Sequence, residues 1–173
     1  MHAIAFLKGI NLGGHNVKKE QLIAIFESVG CRDVTTFIAS GNVVFDAASA
    51  PTESAAEDAF VAALGYPAPT FIRTTKDLRR VIDRRPFDGR GPETGGTLHV
   101  GFLKHKAPAG ALDALATAND ELHVDGTTMY WHTHSERMSD SVLNPKKIEK
   151  ALGQETTLRS IKTIANILEK WPD

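Results

Sequence analysis

The sequence lacks cysteine pairs, a dominant charge and any long hydrophobic run. Cys31 is the only cysteine among 173 residues, so the chain cannot form an internal disulfide, which suits a reducing cytoplasm. Twenty basic residues oppose twenty-one acidic ones, and a net charge of −1 gives no reason to expect non-specific nucleic-acid binding. The first apolar run is too short for a signal peptide, and no segment approaches the roughly 18 apolar residues of a membrane span. We therefore expect a cytoplasmic protein without a membrane segment.

Known phosphate-binding and catalytic fingerprints are also absent. Residues 9–16 read GINLGGHN, which lacks the spacing of GxGxxG, and no GxxxxGK[ST] follows, so neither a dinucleotide fold nor a P-loop is predicted. Ser40 has no GxSxG turn around it, and no histidine and aspartate pair can be assigned to it. No cofactor is therefore predicted, and the sequence does not decide whether the protein is an enzyme.

What the sequence does contain is a glycine-rich loop between a strand and a helix. Residues 3–7 form a nearly continuous apolar run, which predicts a strand covered on both faces or lying centrally in a sheet. The loop that follows has three glycines, among them Gly13 and Gly14, which can adopt positive φ and expose backbone N–H groups. Asn16 is predicted to cap the next helix, which ends at Gly30. A strand, a glycine loop and a helix N-terminus together often bind anions.

A second segment is predicted to bring polar groups to the same end of the sheet. Residues 33–46 are rich in β-forming side chains, and Ser40-Gly41-Asn42 interrupts them as a hairpin turn or a bulge. Lys18 and Lys19 oppose the helix dipole, at a cost of roughly 0.3–1 kcal/mol each, and residues that act against local stability are often functional. The alternative is that the lysines form only a solvated face and the glycines only a turn.

These segments resemble a known bacterial family. The run FLKGINLGG, the Asn-x-Lys-Lys helix start, residues 34–45 and the Thr157-Leu158-Arg159 region resemble domain of unknown function 1697. The resemblance covers almost the whole chain and implies a single-domain cytoplasmic α+β protein built from ferredoxin-like halves, with no established activity. Lys8 stands where an arginine is more usual, and Ser160-Ile161 replaces an Asn-Trp pair. If that pair contacts a ligand, we expect an altered site.

The predicted order of helices and strands divides the chain into two similar halves. Residues 1–75 read β-α-β-β-α-β, with a capping box at residues 54–57. Residues 76–96 form a connecting helix and a glycine-rich linker. Residues 97–173 repeat the order with weaker signals, including a helix at residues 112–118, and end in an amphipathic helix. The predicted fold is α+β, with two ferredoxin-like halves and a C-terminal helix, related without a visible sequence repeat.

The second half adds further candidate groups. Asn144-Pro145-Lys146-Lys147 starts a helix much as Asn16-Val17-Lys18-Lys19 does, and both helix starts could line one electropositive cleft, although coincidence is the simpler explanation. Arg159 suits a phosphate or a carboxylate. The complete predicted ligand-binding set is Lys8, Asn11, Gly13, Gly14, Asn16, Lys18, Ser40, Gly41, Asn42, Thr157, Arg159 and Thr163.

Two other groups are assigned no function. His132 and His134 are two residues apart on a predicted strand and so point to one face. A metal site needs three or four ligands, and no other histidine has a matching spacing, so no metal site is predicted. Cys31 is predicted to be a small buried residue rather than a nucleophile.

The pattern as a whole favours a protein that binds a small phosphate-bearing or carboxylate ligand. An enzyme acting on such a ligand is one alternative, for which His15 is the only nearby group that titrates near neutral pH. A single-stranded nucleic-acid binder is another, but the RNP pattern that such sheets carry is absent. The sequence predicts neither the identity of the ligand nor the oligomeric state.

Overall fold

The computed structural model describes residues 1–11, 13–38, 41–89, 96–135 and 137–172. Its strands form two sheets, in the orders β2-β3-β1-β4 and β6-β7-β5-β8, and all neighbouring strands are antiparallel. The predicted α+β fold class is confirmed. The described strands and α-helices are β1 (His2–Leu7), α1 (Lys19–Ser28), β2 (Thr35–Thr36), β3 (Asn42–Asp46), α2 (Glu53–Leu64), β4 (Thr70–Thr74), α3 (Thr75–Arg84), β5 (Thr97–Leu103), β6 (Asp120–Asp125), β7 (Thr128–Thr133), α4 (Pro145–Leu152), β8 (Thr156–Ser160) and α5 (Ile161–Lys170).

The chain divides into two compact units, and each contains one sheet. The first unit is Met1–Leu78 with Lys170–Asp173, and the second unit is Arg79–Glu169. The division falls inside α3. The sequence predicts halves at 1–75 and 97–173 joined through 76–96, and residues 90–95 of that linker lie outside the described residues.

Strand β1 is the central strand that its apolar run predicts. It lies between β3 and β4, and its residues 3–7 are at most 3% exposed. Alternate residues of β1 pack into a core with α1 and α2, in which the Phe26 ring lies 5.4 Å from Phe45 and 5.9 Å from Phe60. Ile4 and Phe6, which point to the other face, are 0% exposed, so the prediction of a strand covered on both faces is confirmed for residues 3–7.

Two helices begin at other residues than the sequence predicts. Helix α1 has Lys18, not Asn16, at its N-cap, because the Gln21 side chain accepts a hydrogen bond from the Lys18 N–H at 2.9 Å. Val17 precedes this cap and is buried with Leu22, which is the arrangement of a hydrophobic staple. Helix α2 is capped by Thr52, whose hydroxyl accepts from the Ala55 N–H at 3.1 Å, and not at residues 54–57.

Glutamates of α2 bond the edge of the sheet instead of capping their own helix. Strand β4 is an edge strand, and the carboxylates of Glu57 and Glu53 accept from the N–H groups of Thr70 and Ile72, each at 2.8 Å. Glu149 does the same for Thr156 on the edge strand β8, at 3.0 Å. This covering satisfies backbone donors that an exposed edge would present to other chains.

The second unit lacks a regular helix between β5 and β6. The helix predicted at residues 112–118 is a single 3₁₀ turn, Asp113–Leu115. Thr117 explains the early end, because its hydroxyl accepts from the Asn119 N–H at 3.1 Å and donates to the Asp120 carboxylate at 2.9 Å. Short polar side chains of this kind compete with helical hydrogen bonds. Leu112 still packs into the core, and it is 1% exposed.

The two sheets carry matching residues at matching positions. Ile4 pairs with Arg73 in the first sheet, and Val100 pairs with Arg159 in the second. Extending this register aligns AIAFLK (residues 3–8) with HVGFLK (99–104), and TFIRT (70–74) with TTLRS (156–160). The sequence repeat is therefore visible once the strand pairing defines it, and it gives each residue here a matched position in the other unit.

Candidate functional site

The first sheet brings three connecting segments to one edge. Phe6 pairs with Asn42 and Leu7 pairs with Thr70, so the end of β1 lies beside the starts of β3 and β4. The Lys8 N–H donates to the Pro69 carbonyl at 2.9 Å just beyond this pairing. The glycine loop, the turn before β3 and the turn before β4 therefore adjoin, as the sequence predicts for the first two. We call this region the loop edge, made of the described residues 8–11, 13–18, 37–38, 41–42 and 65–69.

The glycine loop has an exposed tip and an anchored base. Gly13 and Gly14 are exposed and have φ of 68° and 84°, values that other residues adopt only at a cost. Asn11 forms the base, because its side-chain oxygen accepts from the Val17 N–H at 2.9 Å. Asn16 is exposed on the helix side of the tip. Asn11 thus holds the loop closed, whereas Gly13, Gly14 and Asn16 face solvent.

Tyr66 is a member of the loop edge that the sequence does not predict. Its ring stacks on His15, with ring centroids 3.9 Å apart and an angle of 25° between the planes. Its hydroxyl donates to the Ile10 carbonyl at 3.4 Å. Residues 65–69 read GYPAP, which signals a turn, but only the strand pairing shows that this turn touches the glycine loop.

The turn before β3 uses its asparagine for structure. The Asn42 amide is 3% exposed and donates to the Phe37 carbonyl at 2.9 Å, which closes the turn. Gly41 is half-buried beside it. Ser40, the remaining predicted residue of this motif, lies outside the described residues.

The lysines of the loop edge differ in exposure. Lys18 is exposed at the N-cap of α1, and Lys19 follows it in the first turn. Lys8 is half-buried at the end of β1. Glu20 also lies in the first turn of α1, so the helix start carries two positive charges and one negative charge.

Thr157, Arg159 and Thr163 belong to the second unit, where they form local hydrogen bonds. The Arg159 guanidinium donates to the Thr157 hydroxyl and to the Leu158 carbonyl, both at 2.8 Å, and burial lowers its pKa to about 10. The Ser160 hydroxyl accepts from the Thr163 N–H at 3.1 Å and so caps α5. Serine caps a helix about as well as asparagine, so the departure from the family pattern at Ser160 preserves this structural role.

Cys31 behaves as the sequence predicts. It is 5% exposed in the core of the first unit, and burial raises the pKa of its thiol to about 11. The reactive thiolate is therefore scarce at neutral pH. A shallow groove between α1 and α2 contains none of the predicted site residues; its lining is Gln21, Ala24, Ile25, Ser28, Ala63 and Leu64.

Strand pairing also brings together three groups that the sequence keeps apart. Glu121 on β6 pairs with His132 on β7, and its Oε2 lies 3.2 Å from His132 Nδ1 and 3.2 Å from His134 Nε2. Histidine spacing in the sequence alone does not reveal this carboxylate. The signal was present in the strong Asp125-Gly126 turn, because that turn sets which residues of β6 and β7 face each other.

A family assignment follows from comparison with known proteins. The model of a family described as a protein of unknown function, DUF1697, matches residues 1–130. The chain belongs to this family. The predicted resemblance extends further than this match, because Thr157-Leu158-Arg159 lies beyond residue 130.

Solved structures extend the likeness over the whole chain. A conserved bacterial protein of Streptococcus pneumoniae, SP0830, has a similar fold with a TM-score of 0.68. The similarity covers 99% of this chain and 98% of that one, at 17% sequence identity, so it concerns the fold alone. A search of curated proteins found no match. Within the part of the chain that the structure describes, no helix is long and apolar enough to cross a membrane.

Proposed function

We propose that the protein binds a small anionic ligand, bearing a phosphate or a carboxylate, at the loop edge of the first unit. The supporting observation is the antiparallel register that places Asn42 opposite Phe6 and so joins the glycine loop to the neighbouring turns. Backbone N–H groups near glycines can approach an anion closely because no Cβ intervenes.

The exposed surface of the loop edge has the chemistry for such a ligand. Gly13 and Gly14 present backbone, Asn16 an amide, and Lys18 an ammonium group. Asn11 and Asn42 fix the backbone of their own loops. Asn11 accepts a hydrogen bond from the Val17 N–H, and Asn42 donates one to the Phe37 carbonyl. A loop held in its binding conformation loses less entropy when the ligand binds. Lys8 supplies a second positive charge from the end of β1.

Thr157, Arg159 and Thr163 lie in the second unit, apart from the loop edge by definition, and stay candidates from the sequence that mutation tests separately. Arg159 is partly buried and makes two hydrogen bonds, so Arg159→Ala is expected to lower the melting temperature whether or not the residue binds a ligand. Arg159→Lys is therefore the better variant, since it keeps the charge and removes the bidentate geometry.

The proposal is tested by thermal shift with inorganic phosphate, pyrophosphate, citrate and a nucleoside triphosphate as probes. A ligand that binds only the folded state stabilises it and so raises the melting temperature. At a free ligand concentration of one hundred times Kd, the free energy of unfolding increases by about 2.7 kcal/mol. We expect a rise with at least one probe in the wild type and a smaller rise in Lys18→Ala and Gly14→Ala.

Two matched controls come from the second unit. Lys146 lies exposed in the first turn of α4 as Lys19 does in the first turn of α1, and Lys104 directly follows β5 as Lys8 directly follows β1. Lys146→Ala and Lys104→Ala should respond to the probe as the wild type does. Equal losses in the controls, or no rise with any probe, would count against the loop edge as an anion site.

We also propose that the protein is cytoplasmic and of bacterial origin, and that its two halves are ferredoxin-like. The cytoplasm is supported by the single cysteine and the other two by the family resemblance. An enzyme acting on the bound anion, with His15 as its candidate acid–base residue, stays a hypothesis, and so does a single-stranded nucleic-acid binder.

A further inference from the structure

Glu121, His132 and His134 form a compact set of metal-ligating atoms in the second unit. One nitrogen of each histidine and one carboxylate oxygen all lie within 4.8 Å of one another. We propose that these three residues bind a divalent transition-metal ion such as Zn²⁺. This site is independent of the loop edge, which is built from other residues in the first unit.

Glu121 Oε2 and His132 Nδ1 are within hydrogen-bond distance, and the same separations also suit a shared cation. Glu121 Oε2 is 3.2 Å from both His132 Nδ1 and His134 Nε2. Charge-assisted N–H···O bonds are usually shorter, at about 2.7–2.9 Å. Around a tetrahedral zinc ion with bonds of about 2.0–2.1 Å, neighbouring ligand atoms are about 3.3–3.4 Å apart. Two of the three ligand separations already have nearly that length.

The third separation can close through the most exposed ligand, His134. The nitrogens of His132 and His134 are no more than 4.8 Å apart, and the ring centroids are 4.7 Å apart. The side chain of His134 is 46% exposed and directly follows β7, so its ring can rotate toward the ion at little cost. A rotation of this kind brings all three donors to one face of the ion.

His132 is held in the orientation that a ligand requires. Its side chain is 4% exposed, and its ring centroid is 5.9 Å from that of Phe87. The backbone of Gly96 passes close to the other ring nitrogen, because a Cβ at that position would lie 3.1 Å from His132 Nε2. Nδ1 is thus left facing Glu121.

The chemistry of the donor set selects the class of metal. Two imidazoles and one carboxylate suit zinc and other borderline divalent ions better than Mg²⁺ or Ca²⁺, which prefer oxygen ligands. Three protein ligands leave at least one coordination position, and the partial exposure of Glu121 and His134 opens it to solvent. The site therefore has the form of a metal centre with a water-accessible position.

The test is a calorimetric titration of the full chain, produced without a histidine tag and treated with a chelator, with zinc sulfate as the probe. We expect one equivalent of Zn²⁺ to bind. Loss of an outer-shell partner of a metal ligand lowers affinity about 10–100-fold, and loss of a ligand costs at least as much. Glu121→Gln and His134→Ala should therefore bind Zn²⁺ at least tenfold more weakly.

Controls separate a built site from adhesion to surface histidines. His105→Ala removes an exposed histidine of the same unit and should leave the titration unchanged, as should Lys18→Ala in the first unit. His134→Ala removes a half-exposed side chain, so we expect the variant to fold normally. Circular dichroism of the variant checks this. Absence of stoichiometric binding overturns the proposal. The proposal is also overturned if Glu121→Gln and His134→Ala leave the Zn²⁺ affinity unchanged. It is overturned as well if His105→Ala lowers that affinity as much as they do.

A spectroscopic measurement tests the geometry of the same site. Co²⁺ in a four-coordinate protein site absorbs visible light far more strongly than octahedral Co²⁺ in solution, and coordination geometry is diagnostic of the donor set. We expect this absorption in the wild type and in His105→Ala, and its loss in Glu121→Gln. A wild-type spectrum identical to that of free Co²⁺ would exclude a four-coordinate centre.

Discussion

Gly101 on β5 is a position where the structure leaves little room for a larger residue. A Cβ added to Gly101 would lie 2.6 Å from Met129 Cγ, 2.6 Å from Thr156 Oγ1 and 3.0 Å from Leu158 Cδ2. All three are well inside the normal contact distance of about 3.5–4.0 Å. Met129 is 0% exposed, and Thr156 is held by a 3.0 Å hydrogen bond to the Phe102 carbonyl. Neither neighbour can retreat without disturbing the core.

Gly101→Ala is therefore expected to destabilise the protein although alanine has the higher intrinsic propensity for regular structure. Overpacking of a well-packed core costs about 1–3 kcal/mol. A chain of this length loses about 2–4 °C of melting temperature per kcal/mol, so we expect a fall of about 2–12 °C in a thermal melt followed by circular dichroism.

The first unit offers the reverse substitution at the matched position. Ala5 occupies the position on β1 that Gly101 occupies on β5, as the pairing of Ile4 with Arg73 and of Val100 with Arg159 defines. Ala5 is 0% exposed, so Ala5→Gly should also destabilise, because it removes a buried methyl group from a strand. A Gly101→Ala variant as stable as the wild type would show that the packing around β5 is looser than the structure indicates.

Two further predictions concern the first unit. Thr52→Ala should cost about 1 kcal/mol because it removes the cap of α2, whereas Ser54→Ala should change stability by less than about 0.5 kcal/mol; equal effects in chemical denaturation would contradict Thr52 as the cap. Cys31, with a pKa of about 11, should react with a thiol reagent at pH 8 about two orders of magnitude more slowly in the folded protein than in urea, since a free thiol of pKa about 8.5 is roughly one-quarter thiolate at that pH. Labelling at the unfolded rate would show that Cys31 is accessible.

Local sequence was sufficient where a few neighbouring residues decide the structure. Asn144 followed by Pro145 begins α4 as predicted, with the asparagine oxygen accepting from the Lys147 N–H at 3.0 Å. Asp125-Gly126 forms the predicted turn between β6 and β7, with Gly126 at φ 61°. Both structures depend on hydrogen bonds and φ preferences within four residues, so the sequence alone encodes them.

The sequence did not decide which of several suitable residues caps a helix. Asn16 and Ser54 are sound N-caps by type, yet Lys18 and Thr52 hold those positions. At α1, burial of Val17 with Leu22 favours a start at Lys18, and Asn11 has already bonded the Val17 N–H. Burial in the tertiary core thus outweighed a preference worth about 1 kcal/mol.

The candidate sites show the same division. The sequence by itself determined the buried interior strand β1 and the glycines at positive φ in the loop that follows it. Only the tertiary structure brought Tyr66 against His15 and Glu121 against His132 and His134. The reason is physical: side chains on neighbouring strands come within reach of each other only when the strands pair in one register, and that register depends on burial across the whole sheet rather than on the residues that meet.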